Sequence, residues 1–382
     1  MNRWAPDSGR KREILPALKS RACPDDYGSM AFDLDSALTD TIRVGASDLH
    51  LKVPSAPRIR VAGRLMDLPS HEPLRPEDTL AVKDLVLTNE IKRGEYDSNG
   101  SADLSYFTPH GRFRVSAFSQ RGSASFVFRV VPHAPQTSDL GLPETVASWS
   151  DARRGLVVVT GPTGAGKSTT CAALLDRINR RRACHILTIE DPIEFLHADR
   201  KAIVCQREIG LDAPSHQVAL RAALRAAETG HLVICTLHTI DAAETVQRFI
   251  DLFGENHAGL ARQMFASTLV GVCSQRLIPS VGGGLTLNAE VLVNSSRMRD
   301  MIVEAEPQSA LRKAIAEGGF YGMRTFDQCL LGLVTSGIVK ETDAVDFASN
   351  GHDFKLMLKQ SGYGSASSAP ADVPAVNGAP GA

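Results

Sequence analysis

Two hydrophobic periodicities divide the chain. Between residues 45 and 131 apolar and polar positions alternate, the repeat of half-buried strands. "APRIRVAGRLMDL" alternates on both sides of Ala62-Gly63, and "GRFRVSAFSQRGSASFVFRVV" on both sides of Arg121-Gly122, so each predicts a hairpin. Helical spacing near 32–43 and 76–91 completes a small α+β domain, 31–133. "PHAPQTSDLGLPE" is Pro-rich and opens a linker, 134–154. From Arg154 short apolar runs ("LVVVT", "HILTI", "AIVCQ", "LVICTLHT", "TLNAEVLV") alternate with helical stretches. That is the signature of an α/β core with a mostly parallel sheet covered by helices, 155–350. Residues 295–350 read as helices, and the small, Pro- and Gly-rich end of 351–382 as a mostly disordered tail.

Composition changes this picture little. The 382 residues are 43% hydrophobic and 22% charged, with net charge −1, so no global basic field points to nucleic acid. No apolar run approaches the ~20 residues of a membrane span. The first 30 residues are basic but lack an apolar core, so they predict a disordered extension rather than a secretory signal, with Met30 an alternative start. The seven cysteines form no CxxC pair and predict buried cytosolic thiols.

The strongest chemical signal is "LVVVTGPTGAGKSTT". A buried strand runs into Gly161-Pro162-Thr163-Gly164-Ala165-Gly166-Lys167-Ser168-Thr169 and a helix follows, the context of a P-loop. Glycines let backbone N–H groups close around phosphate, and the helix N-terminus adds positive charge. Lys167 is the candidate for the β- and γ-phosphates of ATP, and Ser168 for Mg²⁺. "HILTIEDPIEFLH" ends a strand in Glu190-Asp191, with Glu194 close behind. Such acids can hold Mg²⁺ or polarise water, or Asp191 before Pro192 can simply cap a helix. His231 precedes "LVICTLHT" and His238 ends it; an extended strand keeps them from contacting one phosphate together.

In order along the chain, "ASDLHL", "GRFRVSAF", "GPTGAGKSTT", "HILTIEDPIEFLH", "QREIG", "AAETGHLVICTLHT" and "GMRTFDQCL" resemble the secretion-ATPase superfamily, most closely its PilT-like retraction motors. The resemblance implies a PAS-like N-terminal domain joined to a RecA-like P-loop core in a hexameric ring. It implies a cytoplasmic protein, peripheral at the inner membrane, that drives pilus retraction and twitching motility through a platform protein. It matches Glu194 to the catalytic glutamate, with Glu190 beside it, and His231 and His238 to the His box. It sets Arg112, Arg114 and Arg129 in strands whose arginines approach a neighbour's phosphates. "RMRDMI" at 297–302 is a degenerate match to the family's C-terminal motif.

One segment of the family pattern is missing. "ALRAALR" is followed in the family by an acidic turn, the Walker B strand ending in Gly-Glu, and a helix leading into "AAETGHL"; here the two meet directly at Arg225-Ala226. Roughly twenty residues, a strand and a helical turn or two, are absent. The core is then expected either to pair "HILTI" directly with "LVICTLHT" or to be loose there, with hydrolysis impaired. Two other readings remain open: a non-hydrolysing ATP-binding subunit that co-assembles with an intact motor, and a RecA-class nucleic-acid translocase, which the near-neutral charge disfavours.

Overall fold

The computed structural model describes residues 32–61, 63–190, 193–208, 225–251, 253 and 257–363. The expected N-terminal extension, the tail from 364, Asp191 and all of "ALRAALR" but Arg225 lie outside these residues.

Asp33 caps helix α1 (Leu34–Arg43) by accepting from the Ser36 backbone N–H at 3.1 Å, and the helix buries Leu34, Ala37, Leu38 and Thr41 along one stripe. Strand β1 (Asp48–Leu51) and the hairpin β2 (Arg58–Val61) and β3 (Arg64–Asp67) follow. The helix expected over 76–91 is two: α2 (Pro76–Val86) and α3 (Glu90–Asn99). Leu87 leaves helical geometry, and Asn89 starts the second helix by accepting from Ile91 and Lys92. Strands β4 (Ser101–Thr108), β5 (Gly111–Gln120) and β6 (Ser123–Val130) complete an antiparallel sheet of order β3-β2-β1-β6-β5-β4. Arg121 (φ 50°) and Gly122 (φ 79°) make the two-residue turn that the sequence pattern predicts. Phe113, Phe126 and Phe128 are fully buried under the helices, each contributing about 1.5–3 kcal/mol.

The predicted linker is packed structure. Helix α4 (Glu144–Ser148) and the turn after it bury Val146 and Trp149 against Val157, Val159, Cys273, Ala289 and Val291 of the core sheet. In that sheet β7 (Gly155–Thr160) is buried along its whole length. It pairs in parallel with β10 (Leu232–Leu237) on one edge and β11 (Leu269–Pro279) on the other; β12 (Leu285–Val293) pairs antiparallel with β11. Helices α5 (Lys167–Arg181), α6 (Ala242–Asp251), α7 (Ala258–Thr268), α8 (Ser296–Val303) and α9 (Gln308–Glu317) belong to the core; α6 to α9 bury their apolar residues in one cluster with β7 and β11. Helices α10 (Phe326–Thr335) and α11 (Glu341–Phe347) follow. The chain continues past 351 as α12 (Gly351–Gln360), because Asn350 caps it and Phe354 and Leu358 bury against Leu330 and Val334.

The mostly parallel sheet is in two pieces. Among the described residues β8 (His185–Glu190) pairs only with β9 (Ile203–Glu208), and β10 only with β7. The expected direct pairing of "HILTI" with "LVICTLHT" does not form. Side chains bridge the break instead: Leu232 and Ile234 of β10 pack on Ile186 and Ala202. On the other face of β8 Leu187 is 54% and Ile189 40% exposed, whereas β7 has no exposed residue. Inserting an acidic turn, an apolar strand and a helical turn between Arg225 and Ala226 should therefore raise the melting temperature by at least about 5 °C. An unchanged or lower melting temperature in a calorimetric scan would mean that the break is fully compensated.

Candidate active site

β7 delivers the chain to the phosphate loop. Gly161 (φ 141°) follows it at a point where an added Cβ would stand 2.4 Å from the Gln275 carbonyl oxygen, so only glycine fits. Gly164 (φ 80°) and Gly166 (φ 81°) take the left-handed turns that lead into α5. Pro162, Thr163, Gly164 and Ser168 are exposed at the mouth, Thr169 is half-buried, and Ala165 is buried. Lys167 is buried, and its Nζ donates to the carbonyls of Gly161 (2.9 Å) and Pro162 (2.8 Å). Burial lowers the Lys167 pKa, and the negative charge of Glu194 opposes that shift. The loop is anchored from behind: Gln275 Nε2 donates to Thr170 Oγ1 at 2.8 Å, and Thr160 and Ser274 hydroxyls meet at 2.7 Å.

The candidate acids and histidines separate. Glu194 is exposed and lies near enough to act on Lys167 electrostatically. Glu190 is half-buried, and its Oε1 accepts from Thr188 Oγ1 (2.6 Å) and Gln206 Nε2 (3.0 Å), structural bonds within the strand pair. Ser168 offers an exposed hydroxyl in the first turn of α5, a fit for Mg²⁺ at the loop mouth. His238 comes to the site: its Nδ1 is 3.5 Å from Lys167 Nζ. His231 does not. Leu232 lies opposite Gly155 and Leu237 opposite Thr160, so His231 stands at the far end of β10, about 15–20 Å from the loop. There it is exposed, and its Nδ1 lies 3.2 Å from the Ala226 carbonyl.

The N-terminal arginines differ too. Arg112 reaches across to β9, where it forms a buried ion pair with Glu208, and Ser105 Oγ donates to the same carboxylate at 3.0 Å. That guanidinium is committed within its own chain. Arg114 and Arg129 face one another on the solvent side of the sheet, and Arg129 Nε donates to Asp48 at 2.9 Å.

Two site residues were not singled out in the sequence reading. Gln275 sits in "GVCSQRLI", a run whose polar centre hid β11, and Glu290 sits in "LNAEVLV". A polar or charged residue inside an otherwise apolar strand is the available signal, since burial demands a partner. Glu290 is 5% exposed and accepts from the backbone N–H of Ala242, the first residue of α6, at 2.8 Å. Burial pushes its carboxyl up to about 7; the bond from Ala242 and the charges of Arg276 and Arg312 oppose the rise, and Asp241 adds to it.

A parallel strand feeding a glycine turn, a loop lysine and a helix N-terminus define a P-loop ATPase. The profile of the type II/IV secretion system proteins matches residues 24–225 and 212–294, and the chain belongs to that family. It is 40% identical to the type IV pilus retraction ATPase PilT of Pseudomonas aeruginosa, over 84% of this chain and all of the relative. It is 36% identical to a twitching motility protein of Neisseria gonorrhoeae, over 87% of this chain and 95% of the relative. Among solved structures it is similar to the pilus retraction motor PilT with bound ADP (TM-score 0.76, 34% identity, 85% of this chain and 100% of that one). It is also similar to the Legionella pneumophila ATPase DotB (TM-score 0.70, 25% identity, 88% and 98%).

The family profile matches in two pieces that both claim residues 212–225, as expected where a deletion has joined two similar Ala- and Arg-rich stretches. The match to the Pseudomonas protein spans 349 positions but only 84% of the 382 residues here, so this chain is shorter across the aligned region.

Glu290 gives a pH test. Its folded pKa lies above the unfolded value of 4.5, so the stability linked to it is full below that value and is lost as pH rises through about 7. From about pH 5 to pH 8 the wild type should lose on the order of 2–3 kcal/mol relative to Glu290→Gln, measured by denaturant unfolding. Parallel pH profiles for the two proteins would show that Glu290 does not titrate in this window.

Proposed function

We propose that this chain is an ATP-binding motor subunit of a type IV pilus system that couples ATP hydrolysis to pilus retraction and twitching motility. The observation that carries the reading is the formed loop from Gly161 to Ser168, with Lys167 and His238 together at its mouth, in a chain similar to PilT over that relative's full length. ATP is the proposed nucleotide: backbone N–H groups at the start of α5 hold its phosphates, and Lys167 exchanges two loop carbonyls for phosphate oxygens. Ser168 is the proposed ligand for Mg²⁺, which would supply charge neutralisation at the β- and γ-phosphates. Glu194 is the proposed base that takes a proton from the attacking water, and His238 faces the terminal phosphate. Glu190 and His231 are assigned supporting roles, in the strand pair and at the far end of β10.

The assembly proposed is a homohexameric ring in which Arg114 and Arg129 reach a neighbour's phosphates. The further proposed partner is a pilus platform protein at the inner membrane, with this chain cytoplasmic and peripheral and no nucleic acid involved. No helix among the described residues is long and apolar enough to cross a membrane. The relatives favour this motor reading over a non-hydrolysing subunit.

Calorimetry with ATP and Mg²⁺ tests the binding half. Lys167→Ala should weaken affinity at least about ten-fold, ~1.4 kcal/mol or more. Equal affinity of mutant and wild type would sink the assignment. Steady-state turnover tests the chemical half: Glu194→Gln should slow it about 100-fold, and the wild type should turn over more slowly than an intact homologue. Unchanged turnover in that variant would move the base to another acid.

A further inference from the structure

The turn between β10 and α6 is held by two side chains from distant parts of the chain. Glu290 of β12 accepts from the Ala242 N–H at 2.8 Å. Arg312 of α9 grips Asp241 Oδ2 with Nη2 at 2.8 Å and Nε at 3.2 Å, while Asp241 Oδ1 caps α6 by accepting from the Glu244 N–H at 2.7 Å. The Thr239 and Thr245 hydroxyls, both buried, close the turn on itself at 2.6 Å. Four residues before Ala242, the same turn carries His238, 3.5 Å from Lys167 Nζ. Contacts run from α9 through Arg312 to Asp241, the backbone of the turn carries the path from Asp241 to His238, and His238 meets Lys167 of the phosphate loop. Leu311 of α9 and Ile302 of α8, the helix that carries "RMRDMI", bury in one cluster with α6.

We propose that Arg312 and Glu290 are positioning residues that set His238 against Lys167, so that the placement of the C-terminal helices α8 and α9 and the state of the nucleotide site determine one another. The physical requirement is an element that both sites bias, and the β10–α6 turn is that element. By reciprocity, whatever displaces α9 changes nucleotide affinity, and nucleotide shifts α9 by the same factor. The proposal rests on the reading that His238 and Lys167 face phosphate, so its test has one arm that needs nucleotide and one that does not.

In the first arm, binding of Mg²⁺ and a non-hydrolysable ATP analogue is measured for wild type, Arg312→Ala, Arg312→Lys and His238→Ala, and for Arg312→Ala combined with His238→Ala. Arg312→Ala should weaken binding about 3–10-fold in the wild-type background and less than about 2-fold where His238 is already gone. Arg312→Lys, which keeps a cation for Asp241, should restore most of the loss. Arg312 is half-exposed, so the melting temperature should stay close to that of the wild type. A loss of the same size in both backgrounds, or no loss at all, overturns the proposal. In the second arm, nucleotide-free protein labelled at the histidine Cε1 is compared by NMR, with His238→Ala assigning the His238 signal. Arg312→Ala should move that signal and Arg312→Lys should return it. An unmoved signal overturns the proposal, whereas a wild type that binds no analogue overturns only the phosphate-site reading.

Discussion

The site depends on one constraint: β7 has to end where Gln275 leaves room for nothing larger than glycine. Six consecutive buried residues, paired on both edges, fix the height and direction at which the chain emerges. The close approach of the Gln275 carbonyl turns the backbone at Gly161, and the Gln275 side chain holds α5 through Thr170. Lys167 then comes off the first turn of α5 over the loop carbonyls rather than into solvent. Apolar burial of one strand thus becomes a cluster of oriented N–H donors and one ammonium, which is the chemistry that phosphate requires.

Among the described residues no strand supports the opposite edge of β10 in that way. β8 and β9 form a parallel pair held to the rest by other means. Arg112 and Ser105 of the N-terminal sheet close on Glu208. Asn179 of α5 accepts from Arg200 and donates to the Ala198 carbonyl. Leu196 exchanges backbone bonds with Pro132 and Ala134. A buried ion pair is a weak source of net stability, because desolvation offsets most of the attraction. Its geometric effect is larger: it fixes β9 to the N-terminal domain.

Much of this was legible in the sequence. The P-loop could be read because its chemistry fixes residue types at fixed spacing, and the glycines fall where positive φ or close approach demands them. The Arg121-Gly122 hairpin could be read because both residues must take positive φ. β11 could not, because Ser274, Gln275 and Arg276 interrupt its apolar run; only the fold reveals that the first two are buried against Thr160 and Thr170. The commitment of Arg112 to Glu208 joins residues far apart in sequence, so no local pattern marks it. The spacing of His231 and His238 already excluded a shared phosphate, and the direction of β10 decides which of them reaches the loop.

Among the described residues β10 has an open edge where the family pattern has a strand. Residue-resolved amide hydrogen exchange of the native protein tests it most directly. In a parallel strand alternate N–H groups point to opposite edges. Amides of residues 232–237 that donate to β7 should exchange slowly, and those that point away should exchange at least about 1,000-fold faster, as solvent-exposed backbone does. Uniform protection along both edges of β10 would contradict the claim, because it would require a further strand to be paired there.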